Sequence, residues 1–344
     1  MIFQVANRLI DNCSVYVVTR RIDKSWPERE VISGINVLRY TAHIPRLLPS
    51  RLIYIVEALT IIKTVRMISR EANRIVFNFF DPRPAQVYAA MFLRHGSVGS
   101  IVCSLGGTMS EQATLQLKKL AARSSDVVVG ISNYVVHAFG VPHLNTHVYY
   151  PVGREPTDFG ERSACFESKR VLTVCRVHPR KNLEVVIDVA LRLPELLFTV
   201  VGDCTRHREY YASLIDKIDA LDIQNVRFSG EMPCELLQQE YSNSSLFFLP
   251  THHEMFGLVF AQAMSYGLPI VAPNHTAIPE AVGLSGGVLY QPGNLNECVR
   301  AIREVIGSRK RWMELSSGAK AFSEQRYAKD YMGKYAQLLL SCTH

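Results

Sequence analysis

The hydrophobic and polar positions in the second half of the chain alternate between short apolar runs and amphipathic segments. Each apolar run predicts a strand, and each segment with helical spacing predicts a helix. The predicted strands are 170–175, 196–202, 226–229, 246–249, 269–272 and 287–290, and the predicted helices are 182–192, 209–220, 235–242, 257–266, one starting at Glu280, and 294–306. This strand-helix alternation predicts an α/β domain with a parallel sheet covered on both faces.

The first half shows the same alternation less regularly. Strands are predicted at 14–19, 35–40, 75–78, 100–104, 126–131 and 147–149, and helices at 51–70 and 111–123. A polar segment rich in proline and glycine, 151–169, predicts a linker. The length of 344 residues favours two domains, each large enough for its own core.

The segment from Pro250 to Ala272 carries the most informative chemistry. Glu254, Phe256 and Gly257 stand between a predicted strand and a predicted helix. In an open α/β sheet, ligands bind beyond the carboxyl ends of the strands, and the N–H groups of a helix start there can bind an anion. Glu254 beside such a phosphate-sized position favours a ligand with both phosphate and hydroxyl groups, such as a nucleotide sugar.

Two cations follow the strand predicted at 170–175. Arg176 and Lys181 are spaced so that both can reach one point. An arginine forks onto two phosphate oxygens, whereas a lysine acts as a point charge. An ordinary basic loop is the alternative interpretation of this pair.

These motifs together resemble family 4 retaining glycosyltransferases, whose Glu-x7-Glu signature is similar to the segment from Glu254 to Gln262. The segment Val174–Asn182 is similar to the Gly-Arg…Lys loop of that family. The resemblance implies the GT-B fold, in which two Rossmann-like domains face each other across a cleft. Three departures stand out: Gln262 replaces the second acid, Cys175 replaces a glycine, and Gly106 stands where many members carry a histidine.

The resemblance also implies a role for each site residue. Arg176 and Lys181 would neutralise the diphosphate, and Glu254 would bind hydroxyls of the donor sugar. The remaining donor contacts would come from backbone N–H groups of Phe256, Gly257 and Leu258, from Gln262 at the ribose, and from the turn containing Met232 at the base. Transfer would retain the configuration of the sugar without a metal or other cofactor, from a UDP-sugar or GDP-sugar to a glycan, lipid or other hydroxyl acceptor.

The resemblance further divides the chain into an acceptor-side domain at 1–152, a donor domain at 153–327 and a terminal helix at 328–344 that crosses back to the first domain. Family members open with a strand and a glycine-rich loop. Here apolar residues at positions 2, 5, 6, 9 and 10 predict a helix instead. We therefore expect the amino-terminal strand and loop to be missing from this chain.

The positive charge lies in the first domain. Of the net charge of +7, residues 1–152 hold 17 Lys and Arg against 9 Asp and Glu, a balance of +8. This excess favours an anionic partner. Nucleic acid is disfavoured because no binding motif accompanies the charge. In Pro45–Arg70, apolar residues alternate with cations, so that segment could rest on an anionic membrane; packing on the domain's own sheet is the alternative.

Other features narrow the class of protein. The eight cysteines are scattered without a Cys-x-x-Cys pair, which favours reduced thiols. No apolar run of about 20 residues and no secretory signal is present, so a cytoplasmic protein is expected, peripheral at the inner face of the membrane if the basic segment binds lipid. His252 and His253 are adjacent and point apart, and no third ligand has recognisable spacing, so no metal site is predicted.

Two other functions remain open at this stage. One is a weakened or inactive nucleotide-sugar-binding homologue that acts as a partner or regulator, which Gln262, Cys175 and Gly106 favour. The other is a sugar-nucleotide 2-epimerase with the same fold, which the spacing of the motifs disfavours.

Overall fold

The computed structural model describes residues 2–41, 49–70, 75–80, 83–95, 100–105, 112–140, 145–150, 163–327 and 330–342. The chain divides into two compact units. The first unit comprises Met1–Pro151 and Asp330–His344, and the second comprises Val152–Lys329. Most of the predicted linker, residues 151–162, lies outside the described residues.

The first unit contains two sheets. Its elements before the linker are α1 (Ile2–Asn7), β1 (Tyr16–Arg20), β2 (Arg29–Ile32), β3 (Ile35–Tyr40), α2 (Ser50–Ser69), β4 (Val76–Phe80), α3 (Pro84–His95), β5 (Ser100–Leu105), α4 (Gln112–Arg123), β6 (Val127–Gly130), α5 (Asn133–Ala138) and β7 (Thr146–Val148). One sheet has the order β1-β3-β2, with β2 antiparallel to β3, and the other has the parallel order β4-β5-β6-β7. The six strands predicted here are found within two residues at each end, but β2, α3 and α5 were not predicted.

The second unit contains one parallel sheet with the six strands that the sequence predicts. Its elements are α6 (Ser163–Phe166), β8 (Arg170–Val174), a 3₁₀ turn (Pro179–Lys181), α7 (Glu184–Arg192), β9 (Leu197–Val201), α8 (Arg208–Ala220), β10 (Val226–Gly230), α9 (Cys234–Asn243), β11 (Leu246–Phe248), α10 (Leu258–Ser265), β12 (Ile270–Pro273), α11 (Ile278–Val282), β13 (Gly287–Tyr290), α12 (Leu295–Ile306) and α13 (Arg309–Tyr327). The strand order is β10-β9-β8-β11-β12-β13, and every pair is parallel. Helices α6 and α13 were not predicted.

The apolar runs of the second unit form its core. Leu172, Phe247 and Val271 in the central strands are fully buried, and so are Val186 of α7 and Ile302 of α12. Helices therefore cover the sheet with the apolar stripes that their spacing predicts. Gly202 at the end of β9 allows that strand to approach β8, because a Cβ there would lie 1.8 Å from the carbonyl oxygen of Cys175.

The end of the chain differs from the prediction of one helix from Tyr327 onward. Tyr327 is the last residue of α13, a helix that was not predicted. A separate helix, α14 (Tyr331–Ser341), follows and belongs to the first unit. The Asp330 side chain caps α14 by accepting a hydrogen bond from the Gly333 amide. Tyr335 of α14 is fully buried, and its hydroxyl is hydrogen-bonded to the side chains of Asn78 and Ser104. The Ser104 hydroxyl also donates to Oδ1 of Asn78.

The helix at the start of the chain is present in the structure. In α1, Val5 and Ala6 are buried, and Val5 packs in a cluster with Met332 and Tyr335 of α14. Ala6 packs in another cluster with Ile35 and Val37 of β3. Helix α1 thus links α14 to the smaller sheet. The expectation that a strand and a glycine-rich loop are missing stays a prediction.

Candidate functional site

The candidate site lies where the chain order of the second sheet reverses. The chain leaves β8 toward β9 and β10 on one side, and later returns to add β11, β12 and β13 on the other. In open α/β sheets such a switch point leaves a crevice between the diverging loops, and ligands bind there. The loops beyond β8 and β11, which carry Arg176, Lys181, Glu254, Phe256 and Gly257, border this crevice.

Backbone hydrogen bonds join these two loops. The carbonyl oxygen of Arg180 accepts from the His252 amide at 2.8 Å and from the Thr251 hydroxyl at 3.1 Å. Thr251 is fully buried. The loop beyond β8 therefore holds the start of the loop beyond β11 in a defined position.

Lys181 and Glu254 form an ion pair across the crevice. The Lys181 ammonium donates to Oε1 of Glu254, and the two side chains are 20% and 13% exposed. Lys181 ends the 3₁₀ turn, and Asn182 follows it with a left-handed φ of 54°, which starts the approach to α7. The structure therefore brings together two of the residues that the sequence predicts to converge.

A third loop supports Glu254 from the β12 side. The Glu254 amide donates to the Thr276 hydroxyl at 3.3 Å, and the Ala277 amide donates to the Glu254 carbonyl at 3.3 Å. Thr276 has a φ of 55°, in the left-handed region that β-branched residues rarely adopt. Sequence reasoning missed Thr251 and Thr276, because a lone threonine carries no signal of a backbone partner more than 20 residues away.

Gly257 shapes the start of α10. Its φ of 84° is left-handed, and a Cβ at this position would lie 2.4 Å from the Phe260 ring. No side chain of the described residues caps the helix. The first amides of α10 are therefore not satisfied by a capping group, and they carry the partial positive charge of the helix terminus.

The residues on either side of Gly257 point in different directions. Phe256 is 2% exposed, and its ring packs edge-on against Tyr327 with the centroids 5.7 Å apart. Leu258 is 47% exposed, and Gln262 follows it by one helical turn and is half-buried. The Gln262 side chain makes no hydrogen bond to another described residue. It is therefore available to a ligand.

Arg176 and Met232 lie at the same carboxyl edge of the sheet. Arg176 is exposed and makes no hydrogen bond or ion pair within the described part of the chain. Met232 follows β10 and packs partly buried against the core of the second unit. Among the described residues, neither side chain makes a hydrogen bond or ion pair with Lys181 or Glu254.

Histidines contribute to the electrostatics of the site. Nδ1 of His178 accepts from the Arg180 amide at 3.0 Å and so caps the 3₁₀ turn. Burial lowers the pKa of His178, and the neighbouring His207, Arg180, Arg176 and Lys181 lower it further. Burial likewise lowers the pKa of His253, although Glu254 opposes this shift. Among the described residues, no group of three His, Cys, Asp or Glu side chains could hold a metal ion.

Of the departures from the family pattern, the structure describes Cys175 but not Gly106. Cys175 is buried in the core, and burial raises the pKa of its thiol to about 12. A thiol with that pKa is not a nucleophile at neutral pH. Gly106 lies outside the described residues.

The chain is similar in sequence to known glycosyltransferases. Residues 161–322 match the family model of the glycosyl transferases group 1. This segment contains every candidate site residue.

The chain also resembles individual glycosyltransferases. Sulfoquinovosyl transferase SQD2 from Arabidopsis thaliana is 30% identical over 148 residues, which are 42% of this chain and 28% of that protein. A D-inositol 3-phosphate glycosyltransferase from Geodermatophilus obscurus is 28% identical over 254 residues, which are 65% of this chain and 54% of that protein. The chain thus spans less than two thirds of the length of these relatives.

Solved structures show the fold. Sucrose-phosphate synthase from Thermosynechococcus elongatus superposes with a TM-score of 0.78 at 17% identity, over 99% of this chain and 92% of that chain. HepE from Anabaena, solved with UDP and glucose, gives a TM-score of 0.74 at 20% identity, over 99% of this chain and 94% of that chain. The predicted fold class is confirmed: the fold is GT-B.

The capping role of His178 predicts how the stability of the folded protein depends on pH. Its pKa in the folded protein lies below the usual 6.5, so the unfolded chain takes up a proton first as the pH falls through 6.5. The stability that neutral His178 contributes is therefore present above pH 6.5 and lost below it. We expect His178→Asn, which keeps a capping acceptor without titrating, to flatten the fall of the urea midpoint between pH 7 and 5.

The control is Gln239→Asn, at an exposed amide of α9 that does not titrate, which should leave the slope unchanged. Part of the slope should survive in His178→Asn, because His253 is also held with a lowered pKa. An identical pH dependence in wild type and His178→Asn would show that the neutral cap does not affect stability.

Proposed function

We propose that this protein is a retaining glycosyltransferase of family 4 that uses a UDP-sugar or GDP-sugar as donor. The observation that carries the proposal is the ion pair of Lys181 and Glu254 beside the uncapped start of α10, at the switch point of a parallel sheet. This arrangement offers cations and amides to a diphosphate and a carboxylate to sugar hydroxyls. The matched glycosyltransferase segment supports the same chemistry.

In this proposal, Arg176 and Lys181 bind the diphosphate. Negative charge grows on the leaving nucleotide as the glycosidic bond breaks, and fixed cations stabilise that charge in the transition state. Arg176 has no competing partner among the described residues, so its guanidinium can fork onto phosphate oxygens. The amides at Gly257 and Leu258 bind the β-phosphate at the helix start.

Glu254 binds hydroxyls of the donor sugar. Lys181 occupies its Oε1, so the other carboxylate oxygen can accept a hydrogen bond from the sugar. The ion pair also orients the carboxylate before the donor arrives. Gln262 binds the ribose, and the turn at Met232 binds the base.

Transfer proceeds with retention and without a metal in this proposal. The acceptor hydroxyl attacks on the face from which the diphosphate leaves, and the leaving phosphate takes up the acceptor proton. We propose a glycan or a lipid-linked sugar as the acceptor, the first unit as the acceptor side, and the cytoplasm as the site of the reaction.

Replacing Glu254 tests the function directly. We expect the wild type to release nucleoside diphosphate from at least one UDP-sugar or GDP-sugar in the presence of a hydroxyl acceptor. Glu254→Gln keeps the size of the side chain but loses the ion pair, and should lower kcat/KM by about 100-fold or more. Glu235→Gln, at an exposed glutamate of α9, is the control that should retain activity. Equal activity in Glu254→Gln, or binding of donors without turnover of any, would contradict the proposal.

The role of Gln262 predicts a gain in affinity. A carboxylate accepts from the ribose hydroxyls more strongly than a neutral amide, by about 1 kcal/mol. Gln262→Glu should therefore lower the Kd of the nucleoside diphosphate about fivefold in titration calorimetry. The matched control, Gln239→Glu on the exposed side of α9, makes the same change of charge away from the site. Equal or weaker binding by Gln262→Glu would remove Gln262 from the ribose position.

A second proposal is peripheral contact with an anionic membrane through α2. One side of α2 packs in the first unit, where Ala58, Ile61, Ile62 and Val65 are buried against α3 and β5. The alternative of packing on the domain's own core is thus correct for this side. Residues 45–48, the start of the predicted segment, lie outside the described residues. Among the described residues, every helix is too short or too polar to cross a bilayer.

The other side of α2 carries a stripe of exposed residues, which we call the α2 stripe: Leu52, Ile55, Leu59, Lys63, Arg66 and Arg70. Their spacing of three or four residues places them on one helix face. The stripe is apolar in its first half and cationic in its second. Phe92 of α3 is also exposed, and the Arg66 guanidinium lies 5.1 Å from its ring centre. Apolar side chains beside cations suit a bilayer surface with anionic head groups.

Vesicle binding tests this contact. The triple variant L52S/I55S/L59S should reduce co-sedimentation with phosphatidylglycerol vesicles at low salt by at least tenfold, because three exposed aliphatic side chains that would enter the bilayer are lost. The control is L221S/L236S/L284S, which removes three exposed leucines from the second unit. Failure of the wild type to co-sediment, or equal loss in both variants, would exclude the α2 stripe as a membrane contact.

A further inference from the structure

An open groove of about 630 Å³ lies on the second unit. Its lining comes from α7, from α12 and from the residue before α12: Arg192, Asn294, Asn296, Val299, Arg300 and Arg303. We call it the arginine groove. Arg192 ends α7, and the eight residue steps from Glu184 to Arg192 span about 12 Å along that helix.

The three guanidinium groups have no carboxylate partner among the described residues. Arg192, Arg300 and Arg303 are all exposed. The four carboxylates on the same two helices are engaged elsewhere: Glu184 accepts from the Tyr210 hydroxyl, Asp188 pairs with Lys217, Glu297 accepts from the Gln291 amide, and Glu304 pairs with Arg311. None of these four carboxylates forms an ion pair with an arginine of the groove.

Two of the arginines are held in place. Arg192 donates to Oδ1 of Asn296 at 2.6 Å, and Arg303 donates to the carbonyl oxygen of Arg192 at 3.4 Å. Each bond uses one of the five N–H donors of a guanidinium, so most donors remain available. Arg300 follows Asn296 by one helical turn and precedes Arg303 by three residues, which places these side chains on one face of α12.

We propose that the arginine groove binds a ligand that carries phosphate. Guanidinium forks match the geometry of tetrahedral oxyanions, and three cations around one groove focus a positive field on its interior. The volume is that of a small-molecule site, not of a single ion. A free polyphosphate and a phospholipid head group offer the same chemistry. The proposal does not depend on the glycosyltransferase function.

The test uses the full chain carrying Arg176→Ala and Lys181→Ala, so that the candidate donor site does not compete for the probe. Pyrophosphate should bind at low salt by titration calorimetry, and binding should weaken as salt screens the charges. Adding R300A/R303A should raise the Kd at least tenfold. Arg192 is left intact because it holds Asn296. The control adds R309A/K310A, which removes two exposed cations from the first turn of α13 and should leave the Kd unchanged.

Vesicles distinguish the two sources of phosphate. In the L52S/I55S/L59S background, binding to phosphatidylglycerol vesicles that is lost with R300A/R303A would assign the groove to a lipid head group. Binding of pyrophosphate without vesicle binding would assign it to a free polyphosphate. Absence of both, or equal weakening by R309A/K310A, would overturn the proposal.

Discussion

The parallel pairing of β8 with β11 is the constraint on which the candidate site depends. These strands are adjacent in the sheet but separated in sequence by two strands and three helices, and their crossovers leave in opposite directions. The loops at their carboxyl ends must therefore diverge, and a crevice opens between them. The carbonyl of Arg180 then joins the two loops, so that Lys181 meets Glu254.

The balance of cations and carboxylates differs from place to place on the surface. Near the site, Arg206 pairs with Asp203, whereas Arg176 on the neighbouring loop has no such partner among the described residues. Arg311 pairs with both Glu304 and Glu314, which draws one carboxylate of α12 away from the arginine groove. Net charge alone does not reveal these differences, because the second half of the chain is almost neutral in composition. Local pairing decides which cations can bind an external anion.

The strands of the second unit were predictable because each is a short apolar run bounded by glycine, proline or polar residues; 287–290 has the predicted bounds, and the other five agree within one residue at each end. Strand β2 was missed because Arg29 and Glu30 make it polar, and it is half of a hairpin whose outward side chains need no apolar pattern. Helix α13 was missed because its buried residues, such as Trp312 and Ala319, are interspersed with many charges. The boundary between α13 and α14 depends on the cap at Asp330, which the helical spacing alone did not show.

The sequence by itself determined the alternation of strands and helices, the position of Glu254 and Gly257 between a strand and a helix, and the excess of positive charge in the first half. These properties are local, since they follow from neighbouring residues and their periodicity. Only the tertiary structure decided that Lys181 pairs with a carboxylate 73 residues away, that Thr276 supports the Glu254 amide, and that three arginines share one groove. The crossovers of the sheet and the packing of α7 on α12 create these contacts, and no local pattern of residues encodes which distant side chains will meet.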